Sequence, residues 1–217
     1  MQDEISHFTL ITEDLKNFCD NTLEECIKQN VDTSEFPILR EFKTLHEFGF
    51  TGRRPKNHPN GLDGIRLKHD GMILGEVKSL SIQNKQRAIK IRINDLNVER
   101  VEKYPVFLIV DVYDKDKPSS LFYIIGNMQK LMLSEMKRRN AIIKYKDLKE
   151  KDIKFSINQL ISMGFNVFRG DLTNEESFNI LNKMIDKKNR EKISNWTYIP
   201  QYKEVDFDIY YKRRSDS

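Results

Sequence analysis

The stretch "GLDGIRLKHDGMILGEVKSLSI", Gly61 to Ile82, decides how the chain is read. Leu62 to Lys68 runs as a short alternating segment, and Met72 to Ile82 as a longer extended one. Between them, Asp70-Gly71 favours the positive φ values of a tight hairpin. With Asp70-Gly71 as a two-residue loop, His69 pairs with Met72, Ile65 with Glu76, and Asp63 stands opposite Lys78. Side chains alternate along a strand, so Glu76 and Lys78 share one face while Val77 takes the other. Directly opposed residues also share a face, with Cβ atoms about 5 Å apart. The stretch therefore predicts that Asp63, Glu76 and Lys78 converge on one small patch, with Lys78 on an exposed strand edge.

The acid-x-Lys tripeptide alone decides nothing. It recurs at Glu41-Phe42-Lys43, Glu135-Met136-Lys137, Asp14-Leu15-Lys16, Asp147-Leu148-Lys149 and Asp152-Ile153-Lys154. Only the last of these falls on a plausible strand, and it lacks a matching hairpin. For the converging trio two readings stay open. Two carboxylates can hold a hard Mg²⁺ that activates water and offsets charge on a phosphorane, with the lysine orienting the attacking water. The other reading is a cross-strand salt-bridged cluster of little energetic weight.

Outward from the hairpin, residues 1 to 48 read as helical. Phe8, Ile11, Leu15, Phe18, Thr22 and Ile27 recur at helical spacing, and Ile38, Leu39, Phe42, Leu45 and Phe48 form a second stripe stopped at Gly49. A loop covers Thr51 to Asn60. Downstream, "YPVFLIVDVYD" predicts a buried central strand and "SSLFYIIG" another. "GNMQKLMLSEMKRRN" suits a helix, Ile153 to Ile157 a strand, and Thr173 with Glu176 a capping box that opens a further helix. The order of elements predicts an α/β (α+β) fold with a mixed central β-sheet flanked by helices.

The bulk composition sets outer limits. A chain of 217 residues suits one domain, 1–217, with helices over 1–50. No apolar run approaches 18 residues and "MQDEISHFTL" lacks the form of a secretion signal, so no membrane partner and a cytoplasmic location are expected. Cys19 and Cys26 lie two helical turns apart, a poor disulfide geometry that fits buried thiols in a reducing compartment. Two cysteines and four histidines argue against structural zinc. A net charge of +4 permits nucleic-acid binding without indicating it; "TGRRPKNH" and "YYKRRSDS" are the densest basic patches.

The segment "LDGIRLKHDGMILGEVKSLS" resembles the PD-(D/E)XK nuclease superfamily, which includes many restriction endonucleases and Holliday-junction resolvases. Asp63 matches the family's first acid, Glu76 the second and Lys78 the lysine, with Leu62 in place of the preceding proline. The upstream helix, the hairpin and the "PVFLIVDVYD" and "SLFYIIG" strands follow the order of that core over about residues 35–140. The resemblance implies a restriction-endonuclease-like core and a Mg²⁺ site, with Mn²⁺ as substitute. Its ligands would be Asp63, Glu76 and the backbone carbonyl of Val77, with Glu41 or Glu47 as a helical acid. The implied activity is metal-dependent endonucleolytic cleavage of double-stranded DNA in genome defence. A structure-specific or repair nuclease such as a junction resolvase, or a catalytically inactive nucleic-acid-binding module, are the alternatives. Arg53, Arg54 and Lys56 before the hairpin, and Ser79, Gln83 and Lys85 after the motif, are the candidate DNA contacts. Trp196, Tyr198 and Tyr202 suit packing more than base stacking. Residues 141–217 are expected to supply target recognition or homodimer contacts.

Overall fold

The computed structural model describes residues 9–53, 62–68, 71–83, 88–93, 104–128, 131, 151–172 and 175–176. At its centre lies β4 (Gly71–Ser81), preceded by β1 (Thr9–Leu10), α1 (Glu13–Lys28), α2 (Pro37–Glu47), β2 (Gly52–Arg53) and β3 (Gly64–Lys68). It is followed by β5 (Ala88–Ile93), β6 (Val106–Tyr113), β7 (Ser120–Asn127), β8 (Lys151–Ser156), α3 (Ile157–Ser162) and β9 (Asn166–Arg169). Seven strands form one mixed sheet in the order β1-β2-β3-β4-β6-β7-β9; β5 and β8 form a separate antiparallel pair. β4 and β6 run parallel, and every other pairing in the main sheet is antiparallel. The α+β class with helices flanking a mixed sheet is as the sequence indicates. Among the described residues no helix is long and apolar enough to cross a membrane.

Period-2 alternation divides the sheet into two buried faces. Ile73, Val77, Phe107, Ile109, Tyr123 and Ile125 pack with Leu45, Phe48 and Phe50 from α2 and the turn after it. Met72, Leu74, Leu80, Leu108, Val110 and Ile124 pack on the other side with Ile89, Ile91, Phe155 and Leu160. β6 is buried at all eight positions, as expected of a strand covered on both faces. Cys19 is buried and Cys26 half-buried, and both are free thiols.

α1 begins at Thr12, whose hydroxyl accepts the Leu15 N–H at 3.2 Å, and carries Glu13 and Asp14 in its first turn and Lys28 in its last. Its expected stripe is only partly buried: Cys19 and Leu23 point inward, whereas Phe18 is 61% exposed. α2 ends in a Schellman motif, with Gly49 at φ 73° and the Phe50 N–H donating to the Leu45 carbonyl at 2.9 Å. That turn delivers the Phe50 ring onto the β3–β4 hairpin. A Cβ on Gly75 would lie 2.6 Å from the ring, so glycine is what permits the contact.

The buried stripe of α2 differs from the apolar one the sequence suggests. Ile38 is exposed, and Arg40, Thr44 and Leu45 face inward. The cause is electrostatic: the sheet presents Asp111 and Tyr113 to that side. The Arg40 guanidinium lies 3.8 Å from Asp111 Oδ2, stacks 3.6 Å over the Tyr113 ring and donates to the Lys117 carbonyl at 2.8 Å. Burial pushes the Asp111 carboxyl upward, and the Arg40 charge opposes that shift. Arg40→Met is therefore expected to cost about 3–5 kcal/mol, because it strands a buried carboxylate. Denaturant midpoints for Arg40→Met and Arg40→Met/Asp111→Asn would check this, the double variant recovering part of the loss.

Several elements differ from expectation. β1, β2, β5, α3 and β9 are additional, and residues 9–10 are strand rather than helix. The capping box beside α3 is Ser156 with Gln159, and Ile157 begins that helix rather than ending a strand. Residues 175 and 176 are helical, with the Glu176 carboxylate receiving Arg169 Nη2 at 3.0 and 3.2 Å; Thr173 lies outside the described residues. The helix expected after Asn127 falls largely outside them too, as do Trp196, Tyr198 and Tyr202.

Candidate active site

Lys68 pairs with Gly71 and Ile65 with Leu74, so residues 69 and 70 link the strands instead of Asp70 and Gly71. Gly71 is a strand residue, and the register differs by two from the expected one. Ile65 consequently faces Leu74 rather than Glu76. Beyond Gly64↔Gly75 the Asp63 N–H donates to the Gly75 carbonyl at 2.8 Å, and one further step brings Asp63 opposite Glu76 instead of Lys78. A shift of two preserves parity, so Asp63, Glu76 and Lys78 still share one face.

The convergence is close. Asp63 lies just before β3, leaving the Val77 N–H beyond the end of that strand; the Asp63 carboxylate accepts it at 2.7 Å. Lys78 Nζ stands 2.5 Å from Glu76 Oε1, 3.2 Å from the Val77 carbonyl oxygen and 4.0 Å from Asp63 Oδ2. Glu76 is buried, while the side chains of Asp63 and Lys78 are 22% and 29% exposed, so the cluster opens to solvent on one side only. β4 lies between β3 and β6, so Lys78 stands on an interior strand and not on an exposed edge.

Burial, and next the Asp63 charge, raise the Glu76 carboxyl to about 8 against the pull of Lys78. For Lys78, desolvation alone would lower the ammonium, but Glu76 and Asp63 outweigh it and the net shift is upward. Glu41, half-buried on α2, adds its charge to both upward shifts. Glu47 belongs elsewhere. Burial raises it to about 7, its carboxylate accepts the Tyr123 hydroxyl, and Lys43 Nζ lies 3.9 Å away. Of the two helical acids, Glu41 is the one whose field reaches the trio.

The oxygens fit a hard cation. Glu76 Oε2 is buried without a hydrogen-bond partner, and the Lys78 ammonium already occupies a position flanked by Glu76, Val77 and Asp63 oxygens. Among the described residues no group of three or more His, Cys, Asp or Glu side chains is disposed to hold a metal. Any ion here would thus rest on two carboxylates, one carbonyl and water or substrate oxygens, a combination characteristic of Mg²⁺.

The expected DNA contacts divide. Arg53 pairs through the backbone with Gly64, the residue after Asp63. Arg54, Lys56 and Lys85 lie outside the described residues. Ser79 shares the face of Val77 and Ser81, opposite Lys78. Gln83 is held internally: its amide nitrogen donates to Asp114 at 2.5 Å, and its amide oxygen accepts the Lys115 N–H at 3.2 Å. Ser79 and Gln83 help line a polar cavity of about 340 Å³ with Asp32, Ser34, Tyr113 and Lys115. Nothing in their local sequence signalled it, because the lining comes from three separated segments. Asp152 and Lys154, the rival pair, face Arg92 and Lys90 across β5–β8, with no acid opposite.

No family model matches the chain, and no curated protein or solved structure matches it.

The raised Glu76 carboxyl makes a pH-dependent prediction. Burial shifts the folded carboxyl upward from its ordinary value of 4.5, against the pull of Lys78. Between the unfolded and the raised folded value the native state binds more protons, so this group's contribution to stability falls as pH rises through the folded value. Glu47 and Asp111 are shifted upward as well, so the comparison with Glu76→Gln is what isolates this group. Without divalent ions, thermal melts at pH 7 and pH 8.5 should show a fall in Tm that Glu76→Gln flattens.

Proposed function

We propose that the chain is a Mg²⁺-dependent DNA endonuclease of restriction-like type. One observation carries the reading: Asp63, Glu76 and Lys78 meet around a single point on adjacent strands, in a setting that is buried on one side and open on the other. The antiparallel β3–β4 hairpin, the parallel β4–β6 pair and antiparallel β7 add support, since they keep the order that the resembled superfamily uses for its core. Mn²⁺ is expected to substitute.

A bound Mg²⁺ would lower the pKa of a water and offset charge developing on the scissile phosphate. In this reading Asp63 and Glu76 hold the ion with the Val77 carbonyl, and Glu41 strengthens the negative field from α2. Asp63 has a second task, as acceptor for the Val77 N–H that fixes the strand carrying the other two groups. Lys78, as an ammonium, orients the attacking water and offsets the charge growing on the phosphorane as the oxygen–phosphorus bond forms and the phosphodiester P–O bond breaks, while the proton of the metal-acidified water passes to solvent. The basic segment starting at Arg53 contacts backbone phosphates beside Asp63, giving affinity without sequence information.

Supercoiled, linear and branched DNA, and RNA, incubated with Mg²⁺ and with EDTA, test the proposal. Metal-dependent cutting of duplex DNA at discrete positions is expected, and sequenced ends would give the site. Preference for branched DNA would favour a junction or repair nuclease. Absence of cutting on all four substrates would leave a binding module with a structural ion-pair cluster.

A further inference from the structure

We infer that Lys78 is the resident cation of the metal-free site, and that a divalent ion enters only by displacing its ammonium. Lys78 Nζ already sits against the three oxygens assigned to metal binding: Glu76 Oε1 at 2.5 Å, the Val77 carbonyl at 3.2 Å and Asp63 Oδ2 at 4.0 Å. A side chain that merely accompanied the metal would lie beside that set rather than against it. Two cations a few ångströms apart at a partly buried site repel strongly, so ammonium and ion compete for one position. The lysine has a route out, because its side chain is 29% exposed while Glu76 is buried beneath it.

The arrangement links two events. Without metal, the lysine neutralises a carboxylate that would otherwise be buried without a cation, and is withheld from water. When the ion arrives, the same oxygens are satisfied by the metal and the amine is released to the solvent side, where an attacking water would stand. Metal binding thus arms the lysine. The inference rests on the metal-site reading above, yet it fails separately from it.

Calorimetric titration of Mg²⁺ and of Mn²⁺ into the parent protein, Lys78→Met and Glu76→Gln tests the displacement without an activity readout. Lys78→Met should bind either ion about tenfold more tightly or better, since the competitor is gone, although it removes a residue placed in the machinery. Glu76→Gln should bind neither. A second measurement needs no variant and so survives a poorly folded Lys78→Met. Amine-reactive labelling of the parent protein, read by mass spectrometry, should find Lys78 protected without metal and modified with it, while Lys43 is unchanged. If the parent binds metal but Lys78→Met binds no more tightly and labelling of Lys78 is insensitive to metal, displacement is overturned and the metal site stands. If the parent binds no metal, the site reading falls and the displacement with it.

Discussion

Plasmid cleavage by Lys78→Met is expected to fall by about 10²–10³-fold, the usual cost of losing one group that stabilises transition-state charge, with DNA affinity nearly unchanged. The choice of methionine follows from burial. On an exposed edge, alanine would suffice, but Lys78 stands on the interior strand β4 with its ammonium 2.5 Å from buried Glu76. Truncation would open space and strand that carboxylate together. Methionine preserves most of the volume, and without the Lys78 charge that opposes the upward shift, the buried Glu76 carboxyl can take up a proton instead of remaining an anion. Raising Mg²⁺ should not restore the rate, because the missing group acts on the attacking water and its loss tightens metal binding instead of weakening it. Initial rates on supercoiled plasmid across a metal titration, beside circular-dichroism melts, would decide the matter. Near-parental cleavage by a folded Lys78→Met would remove the lysine from the chemistry.

Asp63 separates charge from structure. Asp63→Asn and Asp63→Ala should both lose cleavage at ordinary Mg²⁺, with partial recovery at high Mn²⁺, since each removes a charged ligand. Stability should split them. The asparagine carbonyl can still accept the Val77 N–H now bound at 2.7 Å, whereas alanine leaves that N–H orphaned at a cost of about 1–3 kcal/mol. Cleavage assays and denaturant midpoints on the pair would show this. Parental Mg²⁺-dependent cutting by Asp63→Asn would exclude Asp63 from the site.

Much of this was legible because it is local. Alternation in 62–68 and 72–82, and the unbroken apolar run at Val106, reveal the strands that carry and flank the trio. The trio's common face depends on parity alone, which is why it survives a register two residues from the expected one. Glycine misled at the turn: Gly71 reads as a loop residue but pairs with Lys68 inside the ladder. The polar side of α2 was invisible for another reason. Buried Arg40 and half-buried Glu47 pack against Asp111, Tyr113 and Tyr123, all of them more than sixty positions further on, and apolar periodicity cannot register a charged partner at that distance. β9 is a four-residue strand, too short for its period to stand out. Ser79 stands on the pleat opposite Lys78, which sequence adjacency alone does not reveal.

The trio lies wholly within one hairpin, from Asp63 to Lys78, while the strand that seals it arrives from far along the chain. A hairpin closes in about 1–10 μs, whereas a parallel pairing across a long excursion is slow because the intervening loop must be closed first. β6 joins β4 only after residues 82–105 have turned back, and within that excursion β5 also awaits β8. Order of assembly follows. The carboxylates and the lysine come together while still hydrated and lose their water when β6 docks, so the electrostatic penalty of the site falls on a late folding step. Substitutions at Glu76 should therefore alter the unfolding rate far more than the rate of hairpin formation.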